Sequence, residues 1–329
     1  MNGMPLLKAE NLSVEIFGRK KYFNAVDDVG FELYPGEVCG IVGESGCGKS
    51  LTALSIAGLL PAAARAKGSV LFSLTGSQAP VNLLGLDEKE LCSIRGREIS
   101  MIFQEPLSSL NPLKKISRQI TEVPEIHGMG GKEENRQKAM HLLEKLGLEN
   151  PARVMETYPF RLSGGMCQRV MIALAMICNP RLLIADEPTT ALDADTQDQI
   201  IRLLKEISRE AGTAILFISH DLGVIKQICS RVIVMYAGKM VEEGSTDEIL
   251  EKPAHEYTRS LLGALPERSK KGEKLKVIPG RVPAIEDGRS GGCPFAPRCE
   301  KVRDQCRSEF PGEIIINENH KSRCILGAP

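Results

Sequence analysis

The chain has 329 residues, 42% of them hydrophobic and 26% charged, which is typical of a globular protein with one large domain and a small one. Lys plus Arg equals Asp plus Glu at 42 each, and this zero net charge gives no reason to expect a nucleic-acid partner. The longest apolar run, Val170–Cys178, is far shorter than the roughly 20 residues that span a bilayer, and the N-terminal residues lack a secretory signal. We therefore expect a cytoplasmic chain that reaches a membrane only through a partner.

The first part of the chain predicts three strands and a helix. Residues 6–16 and 26–34 alternate apolar and polar side chains, as half-buried antiparallel strands do. Residues 38–42 form a continuous apolar run, which indicates a buried strand. Residues 51–60 have the length and composition of a helix, and Pro61 ends it.

The segment between this last strand and the helix reads Gly43-Glu-Ser-Gly-Cys-Gly-Lys-Ser50 and fits the phosphate-loop pattern G-x-x-x-x-G-K-[ST]. Its glycines allow backbone N–H groups to close around phosphates. Lys49 would reach the β- and γ-phosphates of a nucleotide, and the Ser50 hydroxyl would bind Mg²⁺. The residues predicted to contact the nucleotide are Gly43, Glu44, Ser45, Gly46, Cys47, Gly48, Lys49, Ser50 and Leu51.

Strands and helices alternate along the following residues. Two segments, 132–148 and 200–207, carry apolar side chains at helical spacing. This alternation favours a mainly parallel sheet of the α/β class, covered by helices on both faces. The strands are predicted at residues 69–74, 99–103, 182–185, 214–219 and 232–235.

Two further segments have the chemistry of a nucleotide site. Leu162-Ser-Gly-Gly-Met-Cys-Gln-Arg169 places a hydroxyl and a glycine turn before an apolar helix, where the helix dipole favours phosphate. The apolar strand at 182–185 ends in two acids, at the edge of the sheet where ligands bind in this architecture. We assign Asp186 to Mg²⁺ and Glu187 to the general base that activates the attacking water.

Together these segments resemble the motifs of ABC-type ATPases. The Walker A loop, the signature segment and the Walker B strand follow in the order of that family, and the resemblance covers residues 6–262. It implies a P-loop ATPase domain at residues 1–265, with a mainly parallel core sheet, an antiparallel β subdomain and a helical subdomain at about 105–178. ATP and Mg²⁺ are the cofactors that it implies.

The same resemblance implies roles for single residues. Gln104 matches the Q-loop glutamine, which contacts Mg²⁺ and the attacking water and senses the membrane partner, and His220 matches the switch histidine that contacts the γ-phosphate. Asp193 matches the D-loop, which crosses to a second subunit. Ser163–Gly165 would close over the ATP of that second subunit. Cys167 departs mildly from the pattern, because charged or polar residues are common at this position of the signature helix.

The adenine base usually stacks on an aromatic side chain from the early strands in this family. We assign Tyr22 to this role, with Phe17 and Phe23 as nearby alternatives. An ordinary core role is the other interpretation of each of these rings.

Four segments narrow the resemblance to the oligopeptide/dipeptide/nickel importer branch of the family. They are Glu105–Pro112, His255–Leu262, Ile278–Gly280 and Gly292–Cys299. In the second segment Glu256 stands where the branch commonly has proline. The match is closest to the D-type ATPase subunit of dipeptide and oligopeptide permeases.

Four of the ten cysteines, Cys293, Cys299, Cys306 and Cys324, lie close to the C-terminus with the spacing C-x₅-C-x₆-C-x₁₇-C. In a reducing cytosol this density favours a metal over disulfides, and four thiolates suit zinc or an iron–sulfur cluster. Members of the branch bind a 4Fe–4S cluster through such a tail, so we favour the cluster. The alternatives are zinc, with His320 as a replacement ligand, and free or disulfide-paired thiols.

We expect residues 266–329 to form a small Cys-rich regulatory or cluster-binding domain, after an exposed charged linker at 267–276. The resemblance implies an ATP-hydrolysing subunit of a di- or oligopeptide importer at the cytoplasmic face of the membrane. Its expected partners are a second ABC ATPase (a homologous F-type subunit or a second copy), two permease subunits and an extracytoplasmic substrate-binding protein. The alternatives are a nickel or metal-chelate importer and a soluble ABC ATPase without a permease.

Overall fold

The structure is a computed structural model that describes residues 3–18, 21–190, 192–265, 276–283 and 291–327. The strands of these residues are β1 (Leu7–Phe17), β2 (Tyr22–Leu33), β3 (Val38–Val42), β4 (Ala64–Phe72), β5 (Val81–Asn82), β6 (Ile99–Ile102), β7 (Leu182–Asp186), β8 (Ala214–Ile218), β9 (Arg231–Tyr236), β10 (Lys239–Ser245), β11 (Ile314–Asn317) and β12 (His320–Ser322). The helices are α1 (Lys49–Ala57), α2 (Glu88–Ile94), α3 (Pro106–Ser109), α4 (Ile116–Ile126), α5 (Lys132–Lys145), α6 (Pro151–Met155), α7 (Gly164–Met176), α8 (Ala194–Ala211), α9 (Leu222–Ile228), α10 (Thr246–Glu251), α11 (Glu256–Gly263) and α12 (Asp304–Ser308). No helix in this described part is long and apolar enough to cross a membrane.

The chain divides into two compact units, of which the first contains Met1–Leu6, Leu33–Val38 and Phe72–Ile218. In this unit β7 lies between β6 and β8 and pairs with both in parallel. Every residue of β7 and β8 is buried, as expected for parallel strands with both faces covered.

The chain between β6 and β7 is helical. The helix α4 packs against α5, α6 and α7, and it buries one face that includes Ile116 and Ile120. The helix α7 contacts β6, which connects this helical part to the strands of the unit. These helices lie where the sequence predicts a helical insertion.

The second unit contains Leu7–Glu32, Cys39–Leu71 and Ser219–Pro329. Here β1 lies between β2 and β4, and in a second group of strands β3 pairs in parallel with β9. The strand β9 pairs in antiparallel fashion with β10, β10 with β12, and β12 with β11. The strands are therefore mixed in direction. β3 and β9 pair in parallel, as predicted for the core strands, and β10, β11 and β12 add antiparallel strands that the sequence analysis did not predict.

The predicted Cys-rich domain is not confirmed as a separate body. The described residues 291–327 belong to the second unit, and β12 extends its strands through the pairs Glu242–Ser322 and Glu243–Lys321. The predicted linker at 267–276 lies outside the described residues, apart from its last position. The boundary at residue 265 stays a prediction.

Two predicted boundaries were wrong for identifiable reasons. The helix predicted to reach Leu60 ends at Ala57, because Gly58 adopts the left-handed conformation that closes a helix three residues before Pro61. The strand predicted to begin at Ser69 begins at Ala64. Its first five residues are small or charged and none of them is buried, so they carry little hydrophobic signal.

A buried carboxylate fastens the C-terminal strands to the second unit. Glu242 on β10 accepts hydrogen bonds from the backbone N–H groups of Ala254 (2.6 Å) and His255 (3.0 Å). The buried His320 on β12 pairs with the same carboxylate through Nε2 at 2.8 Å. A buried carboxylate is tolerated only when it is fully paired, so these three partners must stay together.

We expect Glu242→Leu to lower the free energy of unfolding by about 3 kcal/mol, because two buried N–H groups and His320 lose their partner. Chemical denaturation followed by circular dichroism measures this. The control is Glu251→Leu, the same change on an exposed side chain of α10, with an expected effect within about 0.5 kcal/mol. Equal losses in the two variants would contradict the role of the Glu242 network.

Candidate functional site

The loop between β3 and α1 has the backbone of an anion site. Gly48 precedes α1 with a φ of 103°, and no side chain caps the N-terminus of this helix. A Cβ on Gly43 would lie 2.2 Å from the carbonyl oxygen of Met235, so only glycine fits there. Gly46 has open space around it. The uncapped N-terminus and the open loop fit a bound phosphate.

Lys49 folds back over this loop. Its Nζ donates to the carbonyl oxygens of Gly43 (2.8 Å) and Glu44 (3.2 Å), and the side chain is buried. The carbonyls hold the ammonium group at the place where phosphate oxygens would compete for it. Ser50 is exposed at the second position of α1, as a hydroxyl that binds Mg²⁺ needs to be.

Two predicted catalytic residues meet in the first unit. Glu187 follows β7 with a φ of 48°, which is an uncommon backbone conformation for a residue other than glycine. Its N–H donates to the carbonyl oxygen of Ile218 at 3.0 Å. Gln104 Nε2 donates to Glu187 Oε2 at 3.0 Å. Asp186 precedes Glu187 as the last residue of β7 and is buried.

The sequence analysis missed one residue of this group. Thr190 Oγ1 donates to Glu187 Oε2 at 3.0 Å, so the same carboxylate oxygen accepts from a hydroxyl and from the Gln104 amide. The spacing of three residues after Glu187 is the signal that could have revealed it, because Thr at this distance reaches back across a turn.

The signature segment begins a helix, as predicted. Ser163 is the N-cap of α7, and its Oγ accepts the N–H of Met166 at 3.3 Å. Ser163 and Gly164 are exposed, and a Cβ on Gly164 would meet nothing within 4 Å. Cys167 is buried with its Sγ 3.5 Å from Pro159 O, so it packs inside the helical part.

The other predicted residues are placed as follows. Asp193 caps α8 by accepting the N–H (2.9 Å) and the hydroxyl (2.8 Å) of Thr196, and these hydrogen bonds lower the pKa of its carboxyl. His220 is exposed just after β8.

Tyr22 is accessible at the start of β2, where its side chain is 44% exposed. The guanidinium of Arg65 lies 3.8 Å from the centre of the ring and covers one face. Phe17 lies with its ring centre 5.0 Å from that of Tyr22, tilted by 55°. Further along β2, Ala25 contacts the phosphate loop, since its carbonyl oxygen would be 3.0 Å from a Cβ on Gly48. The strand therefore leads from the loop to these rings.

The phosphate loop is also held from the C-terminal part of the chain. The N–H of Glu44 donates to Tyr257 Oη at 2.9 Å, and Arg298 forms a two-point ion pair with the Glu44 carboxylate. The sequence analysis quoted both segments that contain these residues and assigned neither residue a role.

The four C-terminal cysteines surround one small cavity. Cys293, Cys299, Cys306 and Cys324 are free thiols that line a space of about 20 Å³ together with Phe295 and Ile325, among others. Burial raises the pKa of Cys293 to about 11. No group of three His, Cys, Asp or Glu side chains within the described ranges stands at metal-binding geometry.

Two buried polar atoms without a partner belong to residues that line this cavity. They are His255 Nε2 and Arg323 Nε. Burial lowers the pKa of His255 to about 4, and its Nδ1 accepts the N–H of Tyr257, so Nε2 carries the proton of a neutral ring. Four thiols around one space are the donor set of a thiolate-ligated metal or cluster. His320 is not part of this lining, because its Nε2 is bonded to Glu242.

Comparisons with known proteins agree with this geometry. A family model described as "ABC transporter" matches residues 26–190, and one described as "Oligopeptide/dipeptide transporter, C-terminal region" matches residues 241–306. The chain is 44% identical to the oligopeptide transport ATP-binding protein AppD of Bacillus subtilis, over 98% of this chain and 96% of AppD. It is 43% identical to the dipeptide transport ATP-binding protein DppD of Escherichia coli, again over 98% and 96%.

A solved structure has a similar fold. The ATP-binding cassette MJ0796, in a dimeric post-hydrolysis state bound to ADP and Pi, superposes with a TM-score of 0.65 and 30% identity. The match covers 73% of this chain and 98% of that chain. The chain therefore belongs to the ABC transporter family of ATP-binding proteins and has its α/β ATPase fold.

Proposed function

We propose that this chain is the ATP-hydrolysing subunit of a membrane importer for di- or oligopeptides. The observation that carries the proposal is the match to two peptide-transport ATP-binding proteins over 98% of the chain, including the transporter-specific C-terminal region. The phosphate loop and the Gln104–Glu187 pair support the ATPase part of the proposal.

In this proposal the phosphate loop binds the triphosphate of ATP. The N–H groups at the start of α1 hold the phosphates, and Lys49 leaves its two loop carbonyls to bind the β- and γ-phosphates. Ser50, Gln104 and Asp186 hold Mg²⁺, which offsets the negative charge of the phosphates when bound. Tyr22 stacks on the adenine.

Glu187 acts as the general base. Its carboxylate takes a proton from water while the water oxygen attacks the γ-phosphorus, and the bond to the β–γ bridging oxygen breaks to release ADP and phosphate. His220 contacts the γ-phosphate. Gln104 and Thr190 both donate to Oε2 of Glu187, which fixes the orientation of the carboxylate.

The signature segment acts on a neighbouring subunit. Ser163 and Gly164 are exposed at the N-terminus of α7, which leaves them accessible to the γ-phosphate of ATP bound by a second ATPase. Asp193 and the D-loop belong to the same contact. The second ATPase is a homologous F-type subunit or a second copy of this chain, and the dimeric state of MJ0796 supports such pairing.

The complete importer would also contain two permease subunits and an extracytoplasmic substrate-binding protein, with this chain at the cytoplasmic face of the membrane. Co-purification with two membrane proteins and ATP-dependent uptake of a labelled peptide would test this assembly. Uptake of nickel or a metal chelate instead of peptide would favour the alternative substrate. Full ATPase activity without any membrane partner would favour a non-transport ATPase.

We further propose that residues 266–329 act as a functional region that binds a 4Fe–4S cluster through Cys293, Cys299, Cys306 and Cys324. The shared cavity of the four thiols supports this. A volume of about 20 Å³ accepts little more than one water, so the cavity must widen to hold a cluster. Zinc is the alternative group for the same ligands.

Glu187→Gln should lower kcat for ATP hydrolysis by about 100-fold or more, because an amide cannot accept the proton of water. ATP binding should persist, and an ATP-bound closed dimer should accumulate. Phosphate release and size-exclusion chromatography in ATP measure these outcomes, with the exposed Glu149→Gln as control. Near-normal hydrolysis by Glu187→Gln would refute the assignment of the base.

Gly164→Asp should fold normally, because a Cβ there meets nothing, yet it should lower kcat about 100-fold by placing a carboxylate against the γ-phosphate of the neighbour. ATP affinity of the isolated chain should be unchanged. Steady-state ATPase assays and equilibrium binding separate the two effects. Gly131→Asp, at the open N-cap of α5, is the matched control. Full activity of Gly164→Asp would rule out the signature contact.

Anaerobic purification should yield about four iron atoms and four sulfides per chain, with the visible absorbance of a cluster. Cys299→Ser should lower this content, whereas Cys92→Ser, on the exposed cysteine of α2, should leave it unchanged. One zinc per chain would support the alternative metal. Absence of both metals from the wild-type chain would overturn the proposed site.

A further inference from the structure

We propose that Arg298 compensates the charge of Glu44 and Tyr257 positions its backbone, and that the C-terminal segment in this way sets the affinity of the phosphate loop for ATP. The inference rests on the proposed function, since it takes the Gly43–Ser50 loop as the ATP site. It adds two residues from the C-terminal part of the second unit, outside the Walker and signature segments.

Glu44 is held by its side chain and by its backbone. Arg298 donates from Nη1 to Oε2 at 2.6 Å and from Nη2 to Oε1 at 3.1 Å, which is the parallel two-point geometry of a strong guanidinium–carboxylate pair. The N–H of Glu44 donates to Tyr257 Oη at 2.9 Å. This N–H therefore points at the phenol, and the position of the second loop residue depends on two C-terminal side chains.

Arg298 is fixed by more than this ion pair. Its Nη1 also donates to Tyr236 Oη at 3.1 Å, and its Nε donates to Pro279 O at 2.8 Å. The arginine side chain is 7% exposed, whereas ion pairs that contribute little to stability are usually open to solvent. Such an immobilised guanidinium can hold the loop at low entropic cost.

Tyr257 is equally constrained. It is fully buried, and its ring packs against those of Tyr236 (centres 4.6 Å apart) and Phe295 (5.4 Å). Burial raises the pKa of the Tyr257 phenol, so the hydroxyl stays neutral and accepts the Glu44 N–H. The aromatic cluster thus fixes the position of Tyr257 Oη, which accepts the N–H of Glu44.

The charge of Glu44 is the physical reason for an effect on ATP. A carboxylate in a loop that binds a triphosphate repels the ligand, and this repulsion acts over several ångströms in a partly buried site. Arg298 cancels the charge. Without Arg298 the loop carries an uncompensated negative charge, and without Glu44 it carries an uncompensated positive one.

The ion pair also connects the loop to the cysteine-lined cavity. Arg298 ends the short 3₁₀ turn Ala296–Arg298, and Cys299 is the next residue. The turn is closed by hydrogen bonds from Ala296 N–H to Cys293 O (3.0 Å) and from Arg298 N–H to Phe295 O (2.9 Å). Order in the cysteine segment is therefore what keeps the guanidinium in place against Glu44.

The test measures MgATP dissociation constants of full-length variants by isothermal titration calorimetry. We expect Arg298→Gln to weaken binding about tenfold and Glu44→Gln to leave it equal to or tighter than wild type. The double variant Glu44→Gln/Arg298→Gln should return to within about threefold of wild type, since it removes both charges. Arg298→Lys should lie between Arg298→Gln and wild type, because it keeps the charge and loses the fork.

Steady-state ATPase kinetics should show the same order of variants. KM for ATP should follow the order of the dissociation constants, whereas kcat of Arg298→Gln at saturating ATP should stay within about twofold of wild type, because Arg298 touches no reacting atom. The differences in dissociation constant among the charge variants should shrink at high salt.

Tyr257→Phe should weaken ATP binding about threefold by leaving the Glu44 N–H without its acceptor. Arg307→Gln, on an exposed arginine of α12, is the control and should change nothing.

Three outcomes would overturn the inference. They are unchanged ATP affinity in Arg298→Gln, failure of Glu44→Gln to restore it in the double variant, and an equal loss of affinity in Glu44→Gln alone. The last outcome keeps the test decisive if Arg298→Gln does not fold.

The Lys49→Ala variant separates failure of this inference from failure of the proposed function. If Lys49→Ala leaves ATP binding intact, the loop is not the ATP site. If it abolishes binding while the Arg298 variants bind ATP as wild type does, only the role proposed for Arg298 is wrong.

Discussion

The uncapped N-terminus of α1 is the constraint on which the rest of the site depends. A helix start without a side-chain cap is costly unless an anion or another partner satisfies its N–H groups. The loop before it must stay open, and Lys49, folded onto the loop carbonyls, is a cation positioned where the anion would bind. The open part of the loop is at Ser45 and Gly46, so the position of Glu44 beside it depends on contacts from other segments. Tyr257 and Arg298 provide that support through Glu44.

The first unit holds the carboxylate of Glu187, the proposed general base, in a fixed orientation. The parallel strand β7 is buried along its length and ends in Asp186, and Glu187 follows in a strained backbone conformation. Gln104 and Thr190 hold the same carboxylate oxygen. These donors fix the orientation of the side chain.

Most of the proposed nucleotide site was predictable because its chemistry is local. The phosphate loop, the cap at Ser163 and the acids after β7 each lie within a few residues of the strand or helix that positions them, so spacing was enough to find them. Thr190 was missed although its spacing from Glu187 is local, because a hydroxyl three residues after an acid is common and does not by itself indicate a hydrogen bond. The C-terminal antiparallel strands were also missed, since β11 and β12 are short and β12 pairs with β10, which lies far earlier in the chain.

The sequence by itself determined the family and the order of the motifs, and it predicted which residues would meet ATP, because these depend on short runs of residue types. Only the tertiary structure decided what surrounds them. It brought Arg298 to Glu44, 254 positions apart, placed His320 against Glu242 rather than in the cysteine cavity, and joined the C-terminal residues to the second unit. Such contacts depend on how the intervening chain folds, and no local spacing encodes them.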